Sequence, residues 1–188
     1  MGLMIHSLSE IPIHEKRDYY LFLLDYGWHE PLSEALRNNF NIIASKAAKN
    51  KTAVIMGFEG SHFNDEVLSW QNINGEDATE ILPAIMITTI APFQFKETRF
   101  HSNKKIKYAH EKILLIPLKK FCTTTTDVIS LIEKLFNDIK SEKSLLQFEI
   151  AKELEKGKGR AFMDSLILKP TAWGMGIDIK QAIKSLTK

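Results

Sequence analysis

The stretch 23-LLDYGWHEPLSEAL-36 decides the fold. An apolar run stops at Asp25, and Gly27, Trp28, His29, Glu30 and Pro31 intervene before a helical pattern begins. Pro31 suits a first helical turn, where a backbone N–H would have no intrahelical acceptor anyway. Beyond it Leu32, Leu36, Phe40, Ile43 and Ala47 follow at steps of four, four, three and four, which draws one stripe along a helix reaching Asn50 or Lys51. The junction reads as a strand passing into a helix. In α/β proteins ligands collect at such places, beyond the carboxyl ends of the strands.

Four strand-length apolar runs punctuate the chain: YYLFLLDY (19–26), TAVIMGF (52–58), PAIMITTI (83–90) and KILLIPL (112–118). Most are continuous rather than alternating, the pattern of strands covered on both faces. Between the second and third, Asn64 or Ser61 is positioned to cap a short helix carrying Val67, Leu68 and Trp70. The third and fourth are separated by a long polar arm with no helical stripe, so they read as antiparallel neighbours. After them Thr126 or a neighbour caps a long helix, or two in succession, with Asp127 in the first turn and Gly157 as a stop. Its stripe is Val128, Leu131, Ile132, Leu135 and Ile139. The last thirty residues read as a short strand, a turn around Gly174 and Gly176, and a closing helix capped by Asp178. Residues before 18 have room for an edge strand.

The fold class expected is α/β: three layers around a mixed four- to five-stranded sheet in the order βαβ then ββα, followed by an α-rich C-terminal extension. All 188 residues form one domain on this reading, with the core at 18–140 and the extension at 141–188.

Composition bounds the function. With 44% hydrophobic residues the chain can bury a real core, and six Pro and nine Gly are too few for a disordered protein. Twenty-five basic against 23 acidic residues argues against a dedicated nucleic-acid surface. The local basic runs at 101–112 and 155–160 read as solvated loops. A single cysteine, Cys122, excludes an internal disulfide and fits a reducing compartment, so a cytoplasmic location is expected. The first residues show neither a secretory signal nor a myristoylation pattern, and no apolar run approaches a membrane span.

The element order resembles the thioredoxin fold. In that family the first strand delivers a Trp-Cys-x-x-Cys motif, often with Gly-Pro between the cysteines, at the head of the first helix. Here Trp28-His29-Glu30-Pro31-Leu32 keeps Trp and Pro in register and lacks both cysteines. The family also has a cis-proline just before the third strand, facing the motif, and Leu82-Pro83-Ala84-Ile85 matches that position. The resemblance covers about residues 18 to 140. Dithiol exchange needs a thiolate nucleophile and a resolving thiol, which His29 and Leu32 cannot supply. The resemblance therefore implies a non-redox domain that keeps a recognition groove, where residues beside Pro83 pair with an extended peptide.

Residues expected beyond the strand ends are Asp25, His29 and Glu30 after the first strand, Glu59, His62, Asp65 and Glu66 after the second, and Thr88 and Thr89 from the third. His29, Glu30 and His62 are the candidates for catalysis. They lack the fixed spacing of a metal or protease motif, and loop ends commonly carry such residues as caps. For Glu30 and His29, capping the helix is the preferred reading. Trp28, His29, Pro83, Phe93 and Phe95 are the candidates for binding; the two phenylalanines lie in the polar arm, either tucked onto the domain or open to a partner. No Gly-rich phosphate loop, serine-nucleophile motif, cofactor or metal site is read here. The expected role is a non-redox binding or adaptor domain in an assembly or homodimer. The competing expectation is a hydrolase or transferase using His29, Glu30 and His62.

Overall fold

A computed structural model describes residues 1–12, 16–27, 30–70, 81–92, 113–142, 144–152 and 167–168. In chain order the elements are β1 (Gly2–Ile5), β2 (Tyr19–Leu24), α1 (Pro31–Asn38), α2 (Phe40–Lys49), β3 (Thr52–Gly57), α3 (Phe63–Trp70), β4 (Ala84–Thr88), β5 (Ile113–Pro117), the single turn α4 (Leu118–Phe121), α5 (Thr125–Lys140) and β6 (Ile167–Leu168). Short 3-10 turns sit at Leu8–Glu10 and Leu145–Gln147.

The strands form one mixed sheet of six in the order β1-β3-β2-β4-β5-β6. β1, β3 and β2 run parallel, and β4, β5 and β6 continue antiparallel to their neighbours. The expected antiparallel pairing of the third and fourth apolar runs is what β4 and β5 show. The sheet exceeds the four or five strands read from the sequence. β1 lies in the segment with room for an edge strand, and β6 lies within the last thirty residues, where a short strand was expected.

Every residue of β2, β4 and β5 is buried, because helices cover both faces of the sheet. Side chains alternate between two cores. Leu21 and Leu23 of β2, Val54 and Met56 of β3 and Ile85 and Ile87 of β4 meet Leu36, Ile43 and Ala47 from α1 and α2 and the apolar stripe of α5. On the other face Phe22, Leu24, Ile55 and Met86 meet Phe63, Val67 and Leu68 from α3, with Ile5, Leu8 and Ile11 from the N-terminal segment. Burying each such side chain contributes about 1.5–3 kcal/mol, which is what holds the three layers together.

The helix read from Pro31 to residue 50 breaks at Asn39. Asn39 Nδ2 donates to the Ala35 carbonyl at 2.8 Å, the acceptor a continuing helix would reserve for the residue 39 backbone N–H. The stripe survives the break: Leu36, Ile43 and Ala47 are buried, with Leu32 and Phe40 packed against them. The cap of α5 sits two residues before Thr126 in the threonine run. It is Thr124, and its hydroxyl accepts the Asp127 N–H while Asp127 reaches back to the Thr124 N–H. α5 ends at Lys140, and Leu145, Phe148, Ile150 and Ala151 of the following segment join the first core. Gly157, the turn at Gly174 and Gly176, and Asp178 lie outside the described residues.

Candidate functional site

Strand register brings Asp25, Glu30, Glu59, His62 and Pro83 to one end of the sheet. β2 and β3 are parallel, so both release their chains there, at Asp25 and Phe58. β4 is antiparallel to β2 with Leu24 opposite Ala84, so Pro83 enters beside Asp25. β5 ends at the same place, with Pro117 opposite Ala84 and the Leu118 N–H donating to the Pro83 carbonyl at 2.8 Å. The Leu82–Pro83 peptide bond is cis.

The loop after β2 is held by a buried carboxylate. Asp25 Oδ1 accepts the Gly27 N–H at 2.9 Å, and Oδ2 accepts Arg37 Nε at 2.7 Å. The Asp25 side chain is 2% exposed, and Arg37 beside it supplies a counter-charge that offsets its burial. Arg37 also reaches Glu59 Oε2 at 3.5 Å, joining the loops after β2 and β3. Gly27 has φ +80, and a Cβ there would stand 2.9 Å from Arg37 Nη2. Only glycine satisfies both the left-handed backbone and the close approach of the guanidinium.

Asn64 or Ser61 was expected as the cap for α3; Ser61 lies before the helix and Asn64 within it. Asn64 is buried there: Oδ1 accepts the Asp25 N–H at 3.0 Å and Nδ2 donates to the Asp25 carbonyl at 2.8 Å. Those two backbone groups leave the sheet at the end of β2 and need partners. The Ser61 hydroxyl donates to the Phe58 carbonyl, and the first turn of α3 closes with the Glu66 N–H on the His62 carbonyl. Glu66 itself accepts from the Ser7 hydroxyl and the Leu8 N–H, fastening the N-terminal segment to α3.

Glu30 is the N-cap residue of α1, the position expected of it, but its side chain makes no capping hydrogen bond. Its carbonyl accepts the Glu34 N–H, while its carboxylate accepts Lys119 Nζ at 3.0 Å. Pro31 offers no N–H to a capping group, and the glutamate side chain is long enough to reach α4. His62 is almost fully exposed, its Nδ1 3.9 Å from Asp65 Oδ2, and Asp65 also accepts the Tyr26 hydroxyl at 2.6 Å. Among the described residues no hydrogen bond or ion pair joins Glu30 to His62. Thr88 and Thr89 are at the opposite end of the sheet, because β4 runs antiparallel: Thr88 lies opposite Tyr20, and its buried hydroxyl accepts the Ile90 N–H. Trp28, His29, Phe93 and Phe95 lie outside the described residues.

Sequence reasoning missed Arg37 and Lys119. Both belong to the site through pairing across long stretches of chain, which leaves no local pattern. No group of three His, Cys, Asp or Glu among the described residues is placed to hold a metal ion. No described helix is long and apolar enough to cross a membrane. Cys122 lies buried just past α4, and burial, with Asp127 adding to it, pushes its thiol up to about 11. Comparison with protein-family models, curated proteins and solved structures finds no match to this chain.

Proposed function

We propose that this chain is a non-redox, thioredoxin-like binding or adaptor domain whose partner docks on the end of the sheet around Glu30, Pro83 and Lys119. The observation that carries the reading is the sheet order. From β2 to β5 the chain runs βαβ with a parallel pair and then ββα with an antiparallel pair, which is the arrangement the resemblance implies. It sets Pro83 beside Asp25, where β2 passes into the segment leading to α1.

The described polar groups at this end favour recognition over chemistry. Asp25, Arg37 and Glu59 satisfy one another, Glu30 is held by Lys119, and His62 stands out in solvent with Asp65. A hydrolase or transferase would need an acid and a base converging on one substrate atom. A binding face needs only a rigid frame with exposed side chains on it, and Lys119 and Lys120 on α4 supply cationic ones.

Co-fractionation of the tagged chain from its native cells tests the reading. The wild type is expected to elute with one partner at fixed stoichiometry, and Lys119→Glu, which sets a carboxylate against Glu30, to elute at monomer mass while remaining folded. Elution of the wild type as a free monomer would overturn the adaptor role.

A further inference from the structure

A cleft of about 560 Å³ opens at the other end of the sheet, away from Pro83, lined by Asp18, Tyr19, Lys49, Lys51, Lys140 and Glu142 together with Asn50, Thr89 and Ile139. That volume is within the range of small-molecule sites. The chain reaches it at the start of β2, at the turn between α2 and β3, after β4 and at the end of α5.

Two backbone outliers mark this cleft. Four described residues have positive φ: Gly27, Gly60, Lys51 (φ 47) and Glu142 (φ 51). Lys51 follows the cap of α2 and Glu142 the cap of α5, positions where glycine is the usual residue because a Cβ in the left-handed region costs about 1 kcal/mol. The chain uses glycine at its other two such positions and charged residues at the two that line the cleft. Strain of this kind persists where the side chain has a use.

The lining supplies cations, carboxylates and neutral polar groups side by side. Lys49, Lys51 and Lys140 carry three ammonium groups, and no described ion pair occupies them, whereas Lys46 is paired with Glu133 and Lys119 with Glu30. Lys49 and Lys140 stand in the last turns of α2 and α5, whose negative ends favour cations there, and Lys51 follows just past α2. Asp18 and Glu142 add two carboxylates, and Asn50 and Thr89 add neutral polar groups. Lysine binds phosphate as a point charge, and carboxylates accept hydrogen bonds from hydroxyl groups. We propose that the cleft binds a hydroxylated phosphate monoester, a sugar phosphate or a mononucleotide, with the lysines on the phosphate and Asp18 and Glu142 on the hydroxyls. This site is separate from the proposed docking end and stands independently of it.

The test is a titration of the isotope-labelled full chain, followed by amide NMR at constant ionic strength. Ribose 5-phosphate is expected to move the amides of residues 49–52, 89 and 139–142 saturably, and ribose alone not to. Inorganic phosphate should act at least about five-fold more weakly, the equivalent of losing the hydroxyl contacts. Lys51→Gln and Lys140→Gln, both at exposed positions, should each weaken binding by about three-fold or more, and Lys120→Gln at the far end should not. Adenosine monophosphate separates the two ligand sources: tighter binding than ribose 5-phosphate assigns the nucleotide, and equal or weaker binding the sugar phosphate. Silent cleft amides, equal effects from inorganic phosphate, or binding indifferent to Lys51→Gln would overturn the proposal.

Discussion

Arg37 Nε meets Asp25 Oδ2 at 2.7 Å, tying the last turn of α1 to the residue that ends β2. The loop between them is closed on itself by one buried carboxylate and one guanidinium. Glu59 on the same guanidinium adds the loop after β3, so a single arginine organises the end of the sheet where Pro83 enters.

Removing that arginine strands the carboxylate. Arg37→Ala is expected to cost about 2–4 kcal/mol, because among the described residues the Asp25 carboxylate then keeps only the Gly27 N–H as a partner. Urea unfolding monitored by circular dichroism checks it. A loss below about 0.5 kcal/mol, the scale of an exposed pair, would contradict the buried-lock account.

Two glycines give a controlled comparison. Gly27→Ala and Gly60→Ala both place a Cβ on a backbone with positive φ, but only at Gly27 does the Cβ meet Arg37 and Glu59; at Gly60 nothing lies within 4 Å. Gly60→Ala should cost about 1 kcal/mol from the backbone alone, and Gly27→Ala at least about 1 kcal/mol more. Equal losses in thermal unfolding would show that the approach of the guanidinium does not matter.

The α5 cap has a pH signature. The Thr123 and Thr124 N–H groups, then the hydroxyls of the same residues, hold the Asp127 carboxyl down from 3.8 to about 2. A depressed carboxyl contributes stability that is present above its unfolded value and lost as pH falls through the folded one. Stability should therefore drop between pH 3.8 and about 2, and Asp127→Asn should flatten that limb. Identical acid limbs in the two proteins would contradict it.

Much of this was legible in the sequence, and the parts that were not share a physical cause. Continuous apolar runs announced buried strands, and the Leu36–Ile43–Ala47 stripe announced the helical layer, because both patterns follow from backbone periodicity. The break at Asn39 depends on one side-chain hydrogen bond, which leaves no periodic signal. At the site, Asp25, Glu30 and Pro83 were placed correctly by strand ends, whereas Thr88 and Thr89 were misplaced because the strand that carries them runs the other way. Arg37, Asn64 and Lys119 act only through partners far along the chain.

The single thiol tests the non-redox reading from the chemical side. With its thiol up to about 11 and only 4% of its surface exposed, Cys122 should react with an alkylating reagent near neutral pH at least about a hundredfold more slowly in the folded chain than in urea. Labelling at the rate of a free thiol would place a reactive cysteine in the fold and count against it.

Glycine at the cleft should separate stability from binding. Lys51→Gly and Glu142→Gly relieve a left-handed side chain and are expected to stabilise the fold by about 0.5–1 kcal/mol each. Each should weaken ribose 5-phosphate binding at the same time. Loss of stability in both variants would remove the strain argument.

The central claim is that a partner docks at the Pro83 end of the sheet, and site-specific photo-crosslinking in native cells tests it most directly. A crosslinking residue in place of exposed Lys120 is compared with one in place of Ile42, which is 57% exposed on α2. The account predicts one discrete protein adduct from position 120, lost when Lys119→Glu is added, and background from position 42. Equal adducts from both positions, or none from position 120, would contradict it.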